Sequence, residues 1–203
     1  MLEHPFPDDA GRAVVIRAPS TPTPLAAWDD PLQVATVVPG GALPAHLNGI
    51  GCAPCALPDD LAAAMAAVDE PPFAPPHGYS AAAGAVIVEP DGRVWLVAPS
   101  NGFGGYAATF PKGRVDAGAG LAATAVREAW EEAGLLVDID AFLLDVRRTQ
   151  TYTRYYLAHR VGGSPAAMGW ETQAVHLVPA ALLGTVATHA NDAAIIKALA
   201  AAR

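Results

Sequence analysis

Cysteine is nearly absent from this chain, with two in 203 residues, Cys52 and Cys55. Two thiols cannot build a disulfide scaffold, and the lone Cys-Ala-Pro-Cys lacks the second pair that a four-ligand zinc site needs. Asn48-Gly49-Ile50-Gly51 before it and Pro54 within it read as a turn. The expectation is two reduced thiols in a loop, with His46 the nearest candidate for a third ligand. Charge is also scarce, at 16% of residues, and the formal net charge is −8. That balance argues against broad electrostatic binding to nucleic acid or an anionic membrane. It leaves open a phosphorylated small molecule, because bound cations invert a local field. No apolar run approaches the roughly 20 residues of a spanning helix. The N-terminal MLEHPFPDDAGR has no basic flank followed by an apolar core, as a signal peptide would. A soluble, cytoplasmic protein is expected.

The informative stretch runs from Phe110 to Leu135, FPKGRVDAGAGLAATAVREAWEEAGL. It opens as a loop with Gly113, Gly118 and Gly120 and continues as an alanine-rich segment, Leu121 to Ala133, without Gly or Pro. That composition predicts a helix, and Gly134 is placed to stop it in a left-handed conformation. Glu128, Glu131 and Glu132 stand at i, i+3 and i+4 on one helix face. Like charges at that spacing repel by roughly 0.2–0.5 kcal/mol per pair. Three glutamates alone read most simply as a solvated helix face. Beside a glycine-rich turn they also suit a cage for a hard cation such as Mg²⁺, which takes oxygen ligands.

The surrounding residues resemble the Nudix box, G-x5-E-x7-R-E-U-x-E-E-x-G-U, where U is bulky and apolar. Gly113, Arg127-Glu128, Glu131-Glu132 and Gly134-Leu135 match it, preceded by Phe110-Pro111-Lys112. Ala129 is small for the first U position, and Ala119 stands where the family has its first glutamate. The resemblance implies a metal-dependent hydrolase of phosphoric anhydrides, with Mg²⁺ or Mn²⁺ as cofactor. It implies metal binding by Glu128, Glu131, Glu132 and the Lys112 carbonyl, and a salt bridge from Arg127 that orients a glutamate. The general base varies in the family; Glu132 and Glu171 are both candidates. Arg127, Glu128, Glu132 and Glu171 therefore form the expected catalytic set. Asp116 is a substitute carboxylate for Arg127 in place of the missing one at 119.

The fold implied is a mixed-sheet α/β/α sandwich over residues 78–203. Ala81–Glu89 and Arg93–Ala98 read as strands around a Pro-Asp-Gly turn. Asn101–Gly105 reads as a loop, and Tyr106–Phe110 as a short strand. Leu136–Val146, Thr149–Arg160 and Gln173–Val178 are further strands, Pro179 opens a short helix, and Asn191 or Asp192 opens a final one. Residues 1–77 are proline-rich and read as a small α/β appendage of unknown role. Its elements are strands at Ala13–Arg17 and Leu32–Val38, a helix at Asp59–Val68 and a stiff linker at 71–78. Shaping the substrate pocket and making a homodimer contact are the roles open to it.

For substrate, Arg147, Arg148, Arg154, Lys112 and Arg114 are candidate phosphate contacts. Tyr152, Arg154 and Tyr156 share one strand face by alternation. Diadenosine polyphosphate hydrolases of the resembled superfamily carry a tyrosine a similar distance past the box, and Tyr152 lies 17 residues after Leu135. The expectation is a nucleoside or dinucleoside polyphosphate. The other class is a catalytically lapsed nucleotide-binding or sensor domain, for which Ala119 is the one supporting feature.

Overall fold

The computed structural model describes residues 1–61 and 67–202 of the chain. The chain begins with a two-stranded ribbon, β1 (Leu2–Glu3) and β2 (Val15–Ile16), followed by a helical turn α1 (Ala26–Asp29) and strand β3 (Ala35–Val37). A small hairpin, β4 (His46–Leu47) with β5 (Ile50–Gly51), turns at Asn48 and Gly49, both at positive φ. Cys52 and Cys55 follow it as free, half-buried thiols. The expected helix at Asp59–Val68 has its centre, 62–66, outside the described residues.

The long strands come next. β6 (Ser80–Ile87) is an unbroken small and apolar run, the pattern of a strand covered on both faces. At Glu89–Gly92 the chain turns into β7 (Arg93–Pro99). The expected hairpin shrinks to one bridge, Val88 to Val94, after which the strands diverge into different sheets. Tyr106–Phe110 forms no strand, only a bridge from Thr109 to Val97; the strand is β8 (Lys112–Arg114). Helix α2 (Leu121–Ala133) ends at Gly134, φ +67°, whose N–H bonds the Trp130 carbonyl. A side chain on Gly134 would strike the Ser164 carbonyl, so the αL stop and the close packing both require glycine. β9 (Leu135–Arg147) and β10 (Thr151–Gly163) form a long hairpin, followed by β11 (Thr172–Pro179). Two short helices close the chain, α3 (Leu183–Val186) and α4 (Ala193–Ala202).

The strands make a mixed four-stranded sheet, β8-β6-β10-β9, and an antiparallel three-stranded sheet, β3-β11-β7. β6 and β10 are parallel; the other pairings are antiparallel. The apolar face of α2 (Val126, Ala129, Ala133) packs with Ala85, Trp95, Val175 and Leu177. α4 contributes Ile195 and Leu199 to a second cluster with Val86, Leu96, Phe110 and Tyr155. The result is the α/β/α sandwich with a mixed sheet that the sequence leads one to expect.

The N-terminal segment is built into this body. β3 is the third strand of the smaller sheet, and Trp28 packs beside Trp95 with ring centroids 6.0 Å apart. Two buried arginines fasten it. Arg93 donates to the carbonyls of Ala27, Trp28 and Asp30, and Arg160 donates to those of Leu47 and Gly51 while pairing with Glu89 at 2.6 Å. A buried guanidinium is tolerated only when its donors are satisfied, so these carbonyls dictate where the segment lies.

Candidate active site

The site forms where β8, at the sheet edge, passes under α2. Gly113 pairs with Ala83, and a Cβ placed on it would fall on the Glu128 carboxylate. The missing side chain is the socket that admits Glu128, which is 6% exposed. One helical turn on, buried Glu132 accepts the Lys112 N–H at 2.8 Å. Glu131, on the same face but towards solvent, accepts from Arg127 Nη1 at 3.3 Å. The expected carboxylate face is therefore present, with two members turned inward.

Burial and mutual repulsion dominate its electrostatics. Glu128 is pushed up to about 8, by burial first and then by Glu132; Glu131 and Glu171 add to the rise, against the Arg127 guanidinium. Burial also raises Glu132, to about 7, opposed by the charge and N–H of Lys112 and by Arg148. Burial raises Glu131 and Glu171 as well. The cluster is short of positive charge. Arg127 supplies part of it, bonding Glu128 Oε1 at 3.0 Å and the Arg114 carbonyl at 3.2 Å. It also reaches Asp116 at 3.3 Å, so that carboxylate stands in for the missing one at position 119. Ala119 itself is exposed, its N–H closing a turn onto the Asp116 carbonyl.

Among the described residues no three acidic, histidine or cysteine side chains converge into a closed metal cage. The reason is local: Arg127 holds one oxygen each of Glu128 and Glu131, and Glu132 is turned to a backbone N–H. The donors are nevertheless hard anionic oxygens whose charge is unbalanced, the set that suits Mg²⁺ or Mn²⁺.

Glu171 joins the cluster from a distant part of the chain, at the exposed end of the segment before β11. Its loop is clamped from three sides. Gly169 N–H bonds the Glu131 carbonyl at 2.8 Å, and Ser100 N–H bonds the Glu171 carbonyl at 2.7 Å. Trp170 Nε1 donates to Asp9 Oδ1 at 3.0 Å. Asp9 also raises both Glu131 and Glu171, which makes it a further carboxylate at this site. Sequence reasoning missed Asp9 because no local pattern links it to residues so distant in the chain.

Of the candidate substrate contacts, Lys112 and Arg114 lie at the cluster. Tyr152 and Arg154 have other partners. Tyr152 stacks on Phe73, centroids 5.3 Å apart. Arg154 is 1% exposed, held by Asp145 at 2.8 Å, Glu70 at 3.3 Å and the Pro71 carbonyl at 2.9 Å, between the rings of Phe73 and Phe142. Tyr156 donates to Glu70 at 2.6 Å. The alternation that groups these three is real, but the linker at 70–73 covers that face, and every guanidinium nitrogen of Arg154 is engaged. Arg148 is likewise buried, on Asp192, Tyr155 and Thr109, and Arg147 lies over the Tyr79 ring.

The family model described as NUDIX domain matches residues 78–199. No curated protein matches the chain. Similar solved structures include a Caenorhabditis elegans Ap4A hydrolase binary complex, 23% identical over 59% of this chain and 96% of that one, TM-score 0.51. A NUDIX hydrolase from Nitrosomonas europaea is 16% identical over 61% of this chain and 90% of that one, TM-score 0.52. These identities are evidence of a shared fold.

Proposed function

This chain belongs to the Nudix family of pyrophosphohydrolases, and from that premise we propose that it hydrolyses a nucleoside diphosphate-linked substrate with Mg²⁺ or Mn²⁺. The observation that carries the reading is the socket at Gly113, which seats a buried Glu128 beside Glu132 where positive charge is lacking. Glu128, Glu131, Glu132 and the Lys112 carbonyl would hold the ion. When bound, it supplies positive charge against the phosphate oxygens and the leaving phosphate.

The chain's own residues do the rest. Arg127 keeps Glu128 and Glu131 in register. Lys112 and Arg114 donate to phosphate oxygens, and charge-assisted contacts of this kind position the anhydride for in-line attack. Water forms the new O–P bond, the bridging P–O bond breaks, and the water proton passes to a carboxylate. Glu171 suits that role, because a raised pKa brings a carboxylate nearer neutral pH and its loop is held over the cluster. Glu132 is the second candidate for it.

The lapsed-sensor reading rests on Ala119. Against it stand three retained helix glutamates and the Arg127–Asp116 pair. The test is a panel of nucleoside and dinucleoside polyphosphates assayed for phosphate release with Mg²⁺ or Mn²⁺. Glu131→Gln or Glu132→Gln should each lower kcat by at least about two orders of magnitude. Undiminished turnover in excess chelator, or in the double variant, overturns the mechanism.

A further inference from the structure

The face of β10 expected to stack on a nucleobase is filled by Phe73, but a second set of aromatic side chains lies on the turn after β7 and in the loop between α3 and α4. The turn Ser100–Gly105 carries Phe103, which is 80% exposed. Asn101, Gly102, Gly104 and Gly105 in it all have φ between +58° and +82°. Glycine adopts this backbone readily, whereas an L-residue such as Asn101 is strained there. Asn101 is held by its own side chain, which accepts from Arg17 N–H and donates to the Val15 carbonyl. A glycine-rich turn pinned in this way, with its one large apolar side chain left in water, serves no core.

The turn leads into Tyr106, whose ring lies against His189 with centroids 4.0 Å apart at 30°. Arg148 sits 5.2 Å from the Tyr106 centroid. Asn191 fixes the pair, donating Nδ2 to Tyr106 Oη at 2.6 Å and its backbone N–H to His189 Nδ1 at 3.1 Å. A ring nitrogen that accepts from an N–H carries no proton, so neutral His189 holds its proton on Nε2. Neighbours of both segments lead to the candidate active site. Ser100 bonds the Glu171 carbonyl, and Arg148 is near enough to Glu132 to lower its pKa.

We propose that Phe103, Tyr106 and His189 form the subsite for the planar base of a nucleotide whose phosphates reach the glutamate cluster. The inference rests on the reading above and names its substrate class. Planar heteroaromatic rings stack on such side chains through their π faces, tolerant of base identity. His189 Nε2–H adds one donor for a base or ribose acceptor. The bond from Ser100 N–H to the Glu171 carbonyl ties the turn that carries Phe103 to the Glu171 backbone.

The experiment compares ligands that differ only in the base. AMP, GMP, CMP and UMP, which contain no anhydride, are titrated calorimetrically against the full chain with Mg²⁺, beside ribose 5-phosphate. At least one nucleotide should bind about 5- to 150-fold tighter than ribose 5-phosphate, the range of one base–aromatic stack. His189→Ala and Phe103→Ala should each shrink that ratio, and His189→Trp should restore it. Phe103 is too exposed for its loss to disturb folding, so that variant keeps the test decisive if His189→Ala melts early. Equal binding of all five ligands to wild type, or a ratio unchanged in both alanine variants, overturns the subsite. Anhydride hydrolysis is scored separately: turnover with no tighter binding of any nucleotide than of ribose 5-phosphate sinks the subsite and leaves the hydrolase, and a His189-dependent advantage of nucleotides over ribose 5-phosphate without turnover does the reverse.

Discussion

Replacing Glu128 by glutamine should stabilise the metal-free protein at alkaline pH, although it removes a predicted ligand. Glu128 is held at about 8 in the fold against an ordinary 4.5. An acid whose pKa is raised by folding favours the fold while protonated in it, and that advantage is lost as pH climbs to the folded value. Below pH 4.5 both states are protonated and nothing is lost. Between 4.5 and 8 the unfolded chain ionises first, so stability falls, and above 8 the penalty is complete. At 1.36 kcal/mol per tenfold change in proton affinity, the loss between pH 6 and pH 9 from this one group is about 2–3 kcal/mol. Glutamine cannot ionise, and its carbonyl can still accept the Arg127 bond that Glu128 Oε1 takes. The assay is urea denaturation in chelator at pH 6 and pH 9 for both proteins. Wild type should weaken across that interval and the variant clearly less, leaving Glu128→Gln the more stable at pH 9. Adding Mg²⁺ at pH 9 should recover wild type more than the variant. A wild-type stability flat between the two pH values, or a variant weaker than wild type at pH 9, would refute the picture of a buried carboxylate short of positive charge.

Gly113→Ala sets a methyl on the Glu128 carboxylate and should cost about 1–3 kcal/mol by overpacking, together with the metal-dependent activity; denaturation and turnover measure the two losses. Tyr152→Ala removes the stack on Phe73 and should lower stability by roughly 0.5–1.5 kcal/mol while leaving nucleotide KM unchanged; a raised KM at full stability would return Tyr152 to the substrate. Ala119→Glu gives Arg127 a second carboxylate and should add at most about 1 kcal/mol, with a small gain in rate at saturating Mg²⁺. Recovery of activity by orders of magnitude from an inactive wild type would instead identify a lapsed hydrolase.

The reach of sequence reasoning followed the range of the interactions involved. Helix α2 was legible because its determinants are local: alanine-rich propensity, a glycine stop and carboxylates at i, i+3 and i+4. The same period that stacks Glu128 over Glu132 exists before any tertiary contact does. The Asp116–Arg127 pair was legible too, being confined to one loop and the helix it opens. β6 and β10 were readable as strands, but their parallel pairing and the splitting of β6 and β7 into different sheets were not, since a turn motif specifies only the bridge beside it.

What only the tertiary structure decided are the matters set by long-range packing. Alternation along β10 correctly grouped Tyr152, Arg154 and Tyr156, yet whether that face met substrate or chain depended on a linker 80 residues earlier. Residues 1–77 read as an appendage that packs against the main domain, and where they lie on it is set by buried Arg93 and Arg160, whose donors need carbonyls. Asp9 left no sequence signal, because it meets Glu131 and Glu171 only after both sheets are formed. Local propensity and spacing thus determined the helix and its face of glutamates, whereas burial, which requires partners far away in the chain, determined which side chains remain exposed.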